Sequence, residues 1–402
     1  MRSIFQLIVF LRNLATGIMA PVLLLTLLAH GASISTVSLL IGAYSFTIIV
    51  AEFPSGVFAD LFGRKISLLL SNILFFLCYS LILLSQSLAM LFCAMVANGL
   101  GRAFSTGCID ALAIDDSGTN DGTLVQITAR LSILESAGLA TGALAGGLLS
   151  GLGMLYVGNL SANLAIYTLM FLLTSICVHE PSRARAEEEG KKASERRGIG
   201  TQIKESLEFM MQRGVVRTLL VLSLVTGFAL ISIETYWQPA LSSYSPAPWV
   251  FGAVSFAGFF CVVVGSRLVE RLLTKHPNCG IALLFGSKAL FGGCLILLIS
   301  RFHELFFVMV YMLVYLFLGG SGVAESTLLN RLAPTNQRVS ILSLFSFMLQ
   351  IGGLIASLCG YVVSAQGNFR NMWSLAGVLV LLCVGTFALV SAINQHRQKS
   401  SG

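Results

Sequence analysis

Apolar residues run along this chain in long blocks, and polar residues mostly punctuate them. A membrane-spanning helix needs about 20 predominantly apolar residues. With polar breaks as boundaries, the chain divides into twelve such blocks: residues 4–28, 34–58, 66–86, 88–113, 122–150, 155–178, 215–241, 247–272, 279–300, 304–330, 338–365 and 371–394. The first block holds Arg12 and Asn13 and lacks a small-residue cleavage site, so it reads as a span rather than a removable signal peptide. The one long polar stretch, 179–213, leaves six blocks on either side. From Arg183 to Arg197 it is a mixed-charge run, a solvated linker. Farther on, Ile203, Leu207, Met210 and Met211 fall on one helical face, which predicts a short amphipathic helix on the inner membrane surface. The expected fold class is an all-α membrane protein of twelve transmembrane helices in two pseudo-symmetric six-helix bundles, 1–178 and 214–402, joined by 179–213.

Composition narrows the function classes. Of 402 residues, 56% are hydrophobic and 11% charged, against roughly 25% charged in a soluble globular protein. A soluble enzyme and a nucleic-acid binder are excluded, although the formal charge of +7 could suggest the latter. That positive charge is a topology signal instead. With the N-terminus inside, eighteen Lys and Arg residues fall on the inner side, and only Arg301 and Arg370 fall outside. By the positive-inside rule both termini are cytoplasmic, as expected for a bacterial cytoplasmic membrane protein. The 9 cysteines are scattered, odd in number and without a Cys-x-x-Cys pair, so neither a disulfide framework nor a metal site is expected. There is no Gly-rich phosphate loop ending in Lys-Ser/Thr, so ATP is not the expected driver.

An internal repeat is visible. Small residues followed by Gly-x-x-acid occur at Gly107–Asp110 and at Gly322–Glu325, an offset of 215, and the same shift places Gly138 on Gly353. Two homologous halves with a site between them would give this pattern.

The loop between the second and third blocks reads Gly56-Val57-Phe58-Ala59-Asp60-Leu61-Phe62-Gly63-Arg64-Lys65. It resembles the signature of the major facilitator superfamily, and with twelve spans and a central loop the resemblance covers essentially the whole chain. Physically, Gly56 would allow close helix approach, Gly63 a tight turn, and Asp60 a place at a helix N-terminus. The resemblance implies a cytoplasmic latch in which Asp60 faces the start of span eleven and Arg64 meets an acid ending span four, here Asp115 or Asp116. The competing reading, that Arg64 and Lys65 are ordinary positive-inside residues, explains Lys65 better than Arg64. The fifth span carries Gly138, Gly142, Gly146 and Gly147, a smooth face for backbone packing. It is similar to the fifth-span motif of antiporters in the superfamily, except that Ala143 stands where that motif has proline. The run from Glu52 to Asp60 and the segment from Gly99 to Asp115 resemble a branch that includes presumed bacterial drug exporters. Pro21, Pro54 and Pro239 mark possible kinks in spans one, two and seven.

Ionisable residues within spans are functional candidates by default. Counting about 1.5 Å of rise per residue from the inner ends sets Arg102 level with Glu135, and Arg12 level with Glu52, predicting two ion pairs that either fix helix register or serve transport. Arg130 and Arg267 are close enough to the inner face to snorkel. Asp110 and Glu325 are latch or proton-carrying acids. Lys288 has no obvious local partner. Glu234, followed by Tyr236, Trp237 and Gln238, suits an amphipathic or cationic substrate or an interfacial aromatic belt. No histidine lies mid-membrane, so proton coupling would rest on carboxylates, with Glu135 and Glu234 leading and Asp110 and Glu325 behind. Substrate-binding candidates are Arg12, Arg102, Lys288, Tyr236, Trp237 and Gln238. The expected function is secondary transport by alternating access, proton-coupled efflux of small amphipathic compounds, from a monomer with no cofactor, whose partners are the bilayer, the substrate and protons. The alternative is a carrier of an anionic metabolite that uses Arg12, Arg102 and Lys288.

Overall fold

The computed structural model describes residues 3–106, 108, 112, 121–178, 214–276, 279–300, 302–332 and 338–400. The expected linker and amphipathic helix, and Asp110, Asp115 and Asp116, lie outside the described residues; Asp60 is described only in its backbone.

Among the described residues all regular structure is helical. The helices are α1 (Ser3–Met19), α2 (Leu23–Ala29), α3 (Ile34–Phe62), α4 (Arg64–Leu83), α5 (Leu88–Ser105), α6 (Asp121–Leu149), α7 (Val157–Cys177), α8 (Gly214–Ser242), α9 (Pro248–Lys275), α10 (Gly280–Leu297), α11 (Glu304–Leu332), α12 (Arg338–Ala365) and α13 (Asn371–Ser400). Eleven are long and apolar enough to cross a membrane, and α1 with α2 forms a bent pair that brings the number to twelve. With the bent pair taken as one span, each of the twelve apolar blocks carries a candidate span. Large apolar side chains such as Phe53, Ile133, Leu148 and Ile176 stay exposed, as a surface solvated by lipid requires.

Local chemistry sets the helix ends. The Ser33 hydroxyl accepts from the Thr36 N–H at the start of α3, and the Ser87 hydroxyl from the Met90 N–H at the start of α5. Gly63 alone separates α3 from α4, at φ 103° and ψ 148°, a conformation essentially restricted to glycine. Of the three prolines expected to kink spans, Pro21 sits at the 50° bend between α1 and α2, whereas Pro54 and Pro239 lie inside continuous helices.

The chain forms two compact units, residues 1–196 with 238–256, and residues 197–237 with 257–402. In the first, α1 packs on α6 with backbones in contact. A methyl group built on Gly138 would sit 2.6 Å from the Phe10 carbonyl oxygen, and one on Gly142 or Gly146 would collide with the carbonyl of Leu14 or Ile18. Serines tie α3 and α4 to α5: Ser55 donates to the Ala103 carbonyl at 3.0 Å, Ser67 to Phe104 at 2.9 Å and Ser71 to Gly101 at 2.7 Å. Helix ends leave carbonyls unsatisfied, and these hydroxyls supply partners near the end of α5.

The second unit uses the same device. Methyl groups on Gly227 of α8 and Gly352 of α12 would strike the carbonyls of Leu349 and Leu224 respectively, and Gly265 and Gly319 stand likewise between α9 and α11. Spans seven and eleven thus meet through glycine as spans one and five do. Leu219, Leu222, Leu284, Ala324 and Phe345 form an apolar core between α8, α10, α11 and α12.

Candidate functional site

Two charge clusters stand inside the helix bundles. In the first unit, Arg12 Nη2 on α1 lies 3.4 Å from Glu135 Oε1 on α6. The side chains keep 20% and 35% of their exposure, so the pair borders an accessible space. Here the structure corrects the expected pairing: among the described residues neither Arg102–Glu135 nor Arg12–Glu52 forms, and Arg102 and Glu52 are exposed. Helix packing explains the difference. Gly138 seats against Phe10 and Asn13, which brings Glu135, one turn earlier on α6, level with Arg12. Counting residues from span ends assumed a common starting height and missed this register.

In the second unit, Lys288 of α10 is 1% exposed and its Nζ lies 3.2 Å from Glu325 Oε2 on α11. Nζ also donates to Thr226 Oγ1 at 2.6 Å. The Ser223 hydroxyl donates to Glu325 Oε1 at 2.6 Å. Thr226 Oγ1 lies 2.6 Å from the carbonyl of Leu222, to which it can donate while accepting from Lys288. A cavity of about 510 Å³ opens beside this network, with Lys288, Glu325, Ser223 and Thr226 on its wall. Ser223 and Thr226 escaped the sequence reading because they sit 102 and 62 positions from their partners. The available signal was hydroxyls at i and i+3 in an otherwise apolar span.

Glu234 on α8 is exposed, and its Oε1 accepts a hydrogen bond from the Tyr315 hydroxyl at 3.2 Å. Among the described residues no cation pairs with it. Tyr311 packs 4.8 Å from Tyr315 and 5.1 Å from Trp237, ring centre to ring centre. Tyr236 stacks on Phe369 and accepts from the Ser364 hydroxyl. Tyr236 and Trp237 are both buried, and only Trp237 joins the Tyr311–Tyr315 cluster beside Glu234. Gln238 is buried in the first unit, where Nε2 donates to the Ala20 carbonyl at 2.8 Å and Oε1 accepts from the Leu24 N–H at 3.1 Å. Its amide thus occupies the backbone groups on either side of the Pro21 break.

The signature loop is partly placed. Arg64 is half-buried and engaged, and Lys65 donates to the Ser175 carbonyl at 2.9 Å. The expected acid partners of the latch fall outside the described residues. At Gly56, a methyl group built on the backbone meets no described atom within 4 Å. Close approach to α5 occurs at its neighbour Ser55. Of the fifth-span glycines, Gly147 meets Gly252 of α9 rather than α1.

The comparisons with known proteins agree with this architecture. The family model of the Major Facilitator Superfamily matches residues 6–324. The MFS-type transporter YxaM of Bacillus subtilis (strain 168) is 24% identical over 401 residues, covering 99% of this chain and 98% of its own. Among solved structures, the nucleoside transporter NupG is similar with a TM-score of 0.75 at 11% identity, over 96% of this chain and 98% of that one. A D-xylose-proton symporter is similar with a TM-score of 0.70 at 14% identity, over 95% and 96%. These likenesses share the fold. The apolar helices long enough to span, the signature loop and the family match together establish a membrane transporter and not an enzyme: the chain belongs to the Major Facilitator Superfamily.

Proposed function

We propose that this transporter is a proton-coupled exporter of small amphipathic cations, working by alternating access as a monomer in a bacterial cytoplasmic membrane with both termini inside. The observation that carries the reading is Glu234: an accessible carboxylate with no cation beside it among the described residues, a tyrosine hydroxyl on it, and aromatic rings behind. A proton and an organic cation compete for such a group. One carboxylate that holds either but not both exchanges them, which couples outward movement of one to inward movement of the other. The buried rings of Tyr311, Tyr315 and Trp237 make an apolar backing for this group. Arg12 and Lys288 support the same reading, because each already faces a carboxylate and neither offers a standing charge to an anion. Proton coupling also has a precedent in the fold, in the D-xylose-proton symporter. Arg64 with Asp60, Asp115 and Asp116 would close the cytoplasmic side, and Glu135, Asp110 and Glu325 remain proton-carrying candidates.

Exposed Arg102 favours the second reading, a carrier of an anionic metabolite. Proteoliposomes with an imposed pH gradient and a chemically diverse panel separate the two. Export requires that cations move with the gradient and that Glu234→Gln weakens the pH drive. Selective movement of organic anions, lost in Arg102→Gln, would replace it.

A further inference from the structure

Lys288 and Glu325 stand asymmetrically toward their cavity. The ammonium is 1% exposed, whereas the carboxylate keeps 13%. A ligand entering the cavity therefore meets Glu325 first, with Lys288 behind it. The wall joins the hydroxyls of Ser223, Ser321 and Ser326 to the apolar side chains of Leu230, Phe345 and Leu349, a lining for an amphipathic molecule with a polar head.

The charges facing Lys288 are few. From α11 it meets Glu325, from α8 the hydroxyl of Thr226, and from α13 the thiol of Cys383. α12 contributes Phe345, Ser346 and Leu349 to the cavity, and α9 contributes Val262 and Ser266. The charged pair on α9, Arg267 with Glu270, is bonded to itself at an exposed position. Among the described residues, one carboxylate thus balances one ammonium. A second cation seated on Glu325 would leave the buried Lys288 ammonium without its counter-charge, which is costly.

We propose that the Lys288–Glu325 pair is itself an exchange site, in which an organic cation takes over Glu325 and Lys288 gives up its proton. The ligand cation forms the new ion pair. An N–H bond of Lys288 breaks, its electron pair stays on Nζ, and the proton leaves to the water that reaches Glu325. Net charge in the cavity is unchanged. Thr226 serves both states, because its hydroxyl accepts from the ammonium and can turn to donate to the neutral amine. The inference deepens the export reading by adding a second coupling group, a lysine, to a mechanism otherwise resting on carboxylates.

The test uses the full-length protein in detergent and weak buffer, with tetraphenylphosphonium as probe and a pH indicator as readout. It is run in the Glu234→Gln background, which silences the other site. The pair requires about one proton released per probe bound. Lys288→Gln retains binding and releases none. Lys288→Arg, which keeps the ion pair and the fold but holds its proton, weakens binding at least tenfold and also releases none. Glu325→Gln abolishes binding. Absence of probe binding in the background protein, or proton release that survives either lysine variant, overturns the proposal. The export reading fails separately, if the wild-type protein in proteoliposomes shows no pH-driven cation flux while binding-linked proton release persists.

Discussion

The guanidinium of Arg12 rests 3.4 Å from the carboxylate of Glu135, across the seam where α1 and α6 touch through glycine. Each charge is partly shielded from water, so removing one strands the other. Arg12→Gln and Glu135→Gln are each expected to destabilise the detergent-solubilised protein by about 1–3 kcal/mol. The double substitution is expected to cost clearly less than the sum. A thermal-unfolding double-mutant cycle checks this, and strict additivity would show the two charges to be uncoupled.

The Gln238 amide satisfies the Ala20 carbonyl and the Leu24 N–H, both at the Pro21 break. Gln238→Leu keeps the bulk and strands both backbone groups, a cost of about 1–3 kcal/mol per buried group. The expected outcome is a lower Tm and faster amide hydrogen exchange over residues 22–26. Unchanged exchange there would mean that water or another side chain fills the role.

Gly63 carries φ 103° and ψ 148° between α3 and α4. Any side chain strains this corner, so Gly63→Ala should destabilise by about 1–3 kcal/mol. Gly56→Ala, in the same signature loop, adds a methyl where the described structure has open space and should stay within about 0.5 kcal/mol. Parallel melting curves distinguish the two. Equal losses would contradict the geometry at Gly56.

Gly142 and Gly146 lie against the carbonyls of Leu14 and Ile18, leaving no room for a Cβ. Gly142→Val and Gly146→Val are therefore expected to prevent accumulation of folded protein, while Leu144→Val, exposed on the same helix, is expected to fold normally. Monodispersity on size-exclusion chromatography reads the outcome.

The spans were legible because a bilayer demands about 20 apolar residues in a row, and the signature loop was legible because its spacing is fixed. The pairing of charges was not. Arg12 met Glu135 rather than Glu52, and Lys288 met Glu325, because lateral packing of helices far apart in sequence decides which side chains face each other. The repeat hinted at the second pair, since it singled out Glu325, but carried no information on which helix lies opposite. Gly56 could not be read further for a related reason. A glycine in a span marks the absence of a side chain, and only the packing shows whether that absence is occupied by a neighbour.

The glycine seams between spans one and five, and between spans seven and eleven, have a consequence for how the protein yields to force and to mutation. Where backbone touches backbone there are no rotamers to adjust, so the joint cannot soften by small degrees or be repaired by repacking a neighbour. Each pair of spans should behave as one stiff double beam, deforming together or separating outright. Compensating substitutions should accumulate everywhere along these helices except on the seams.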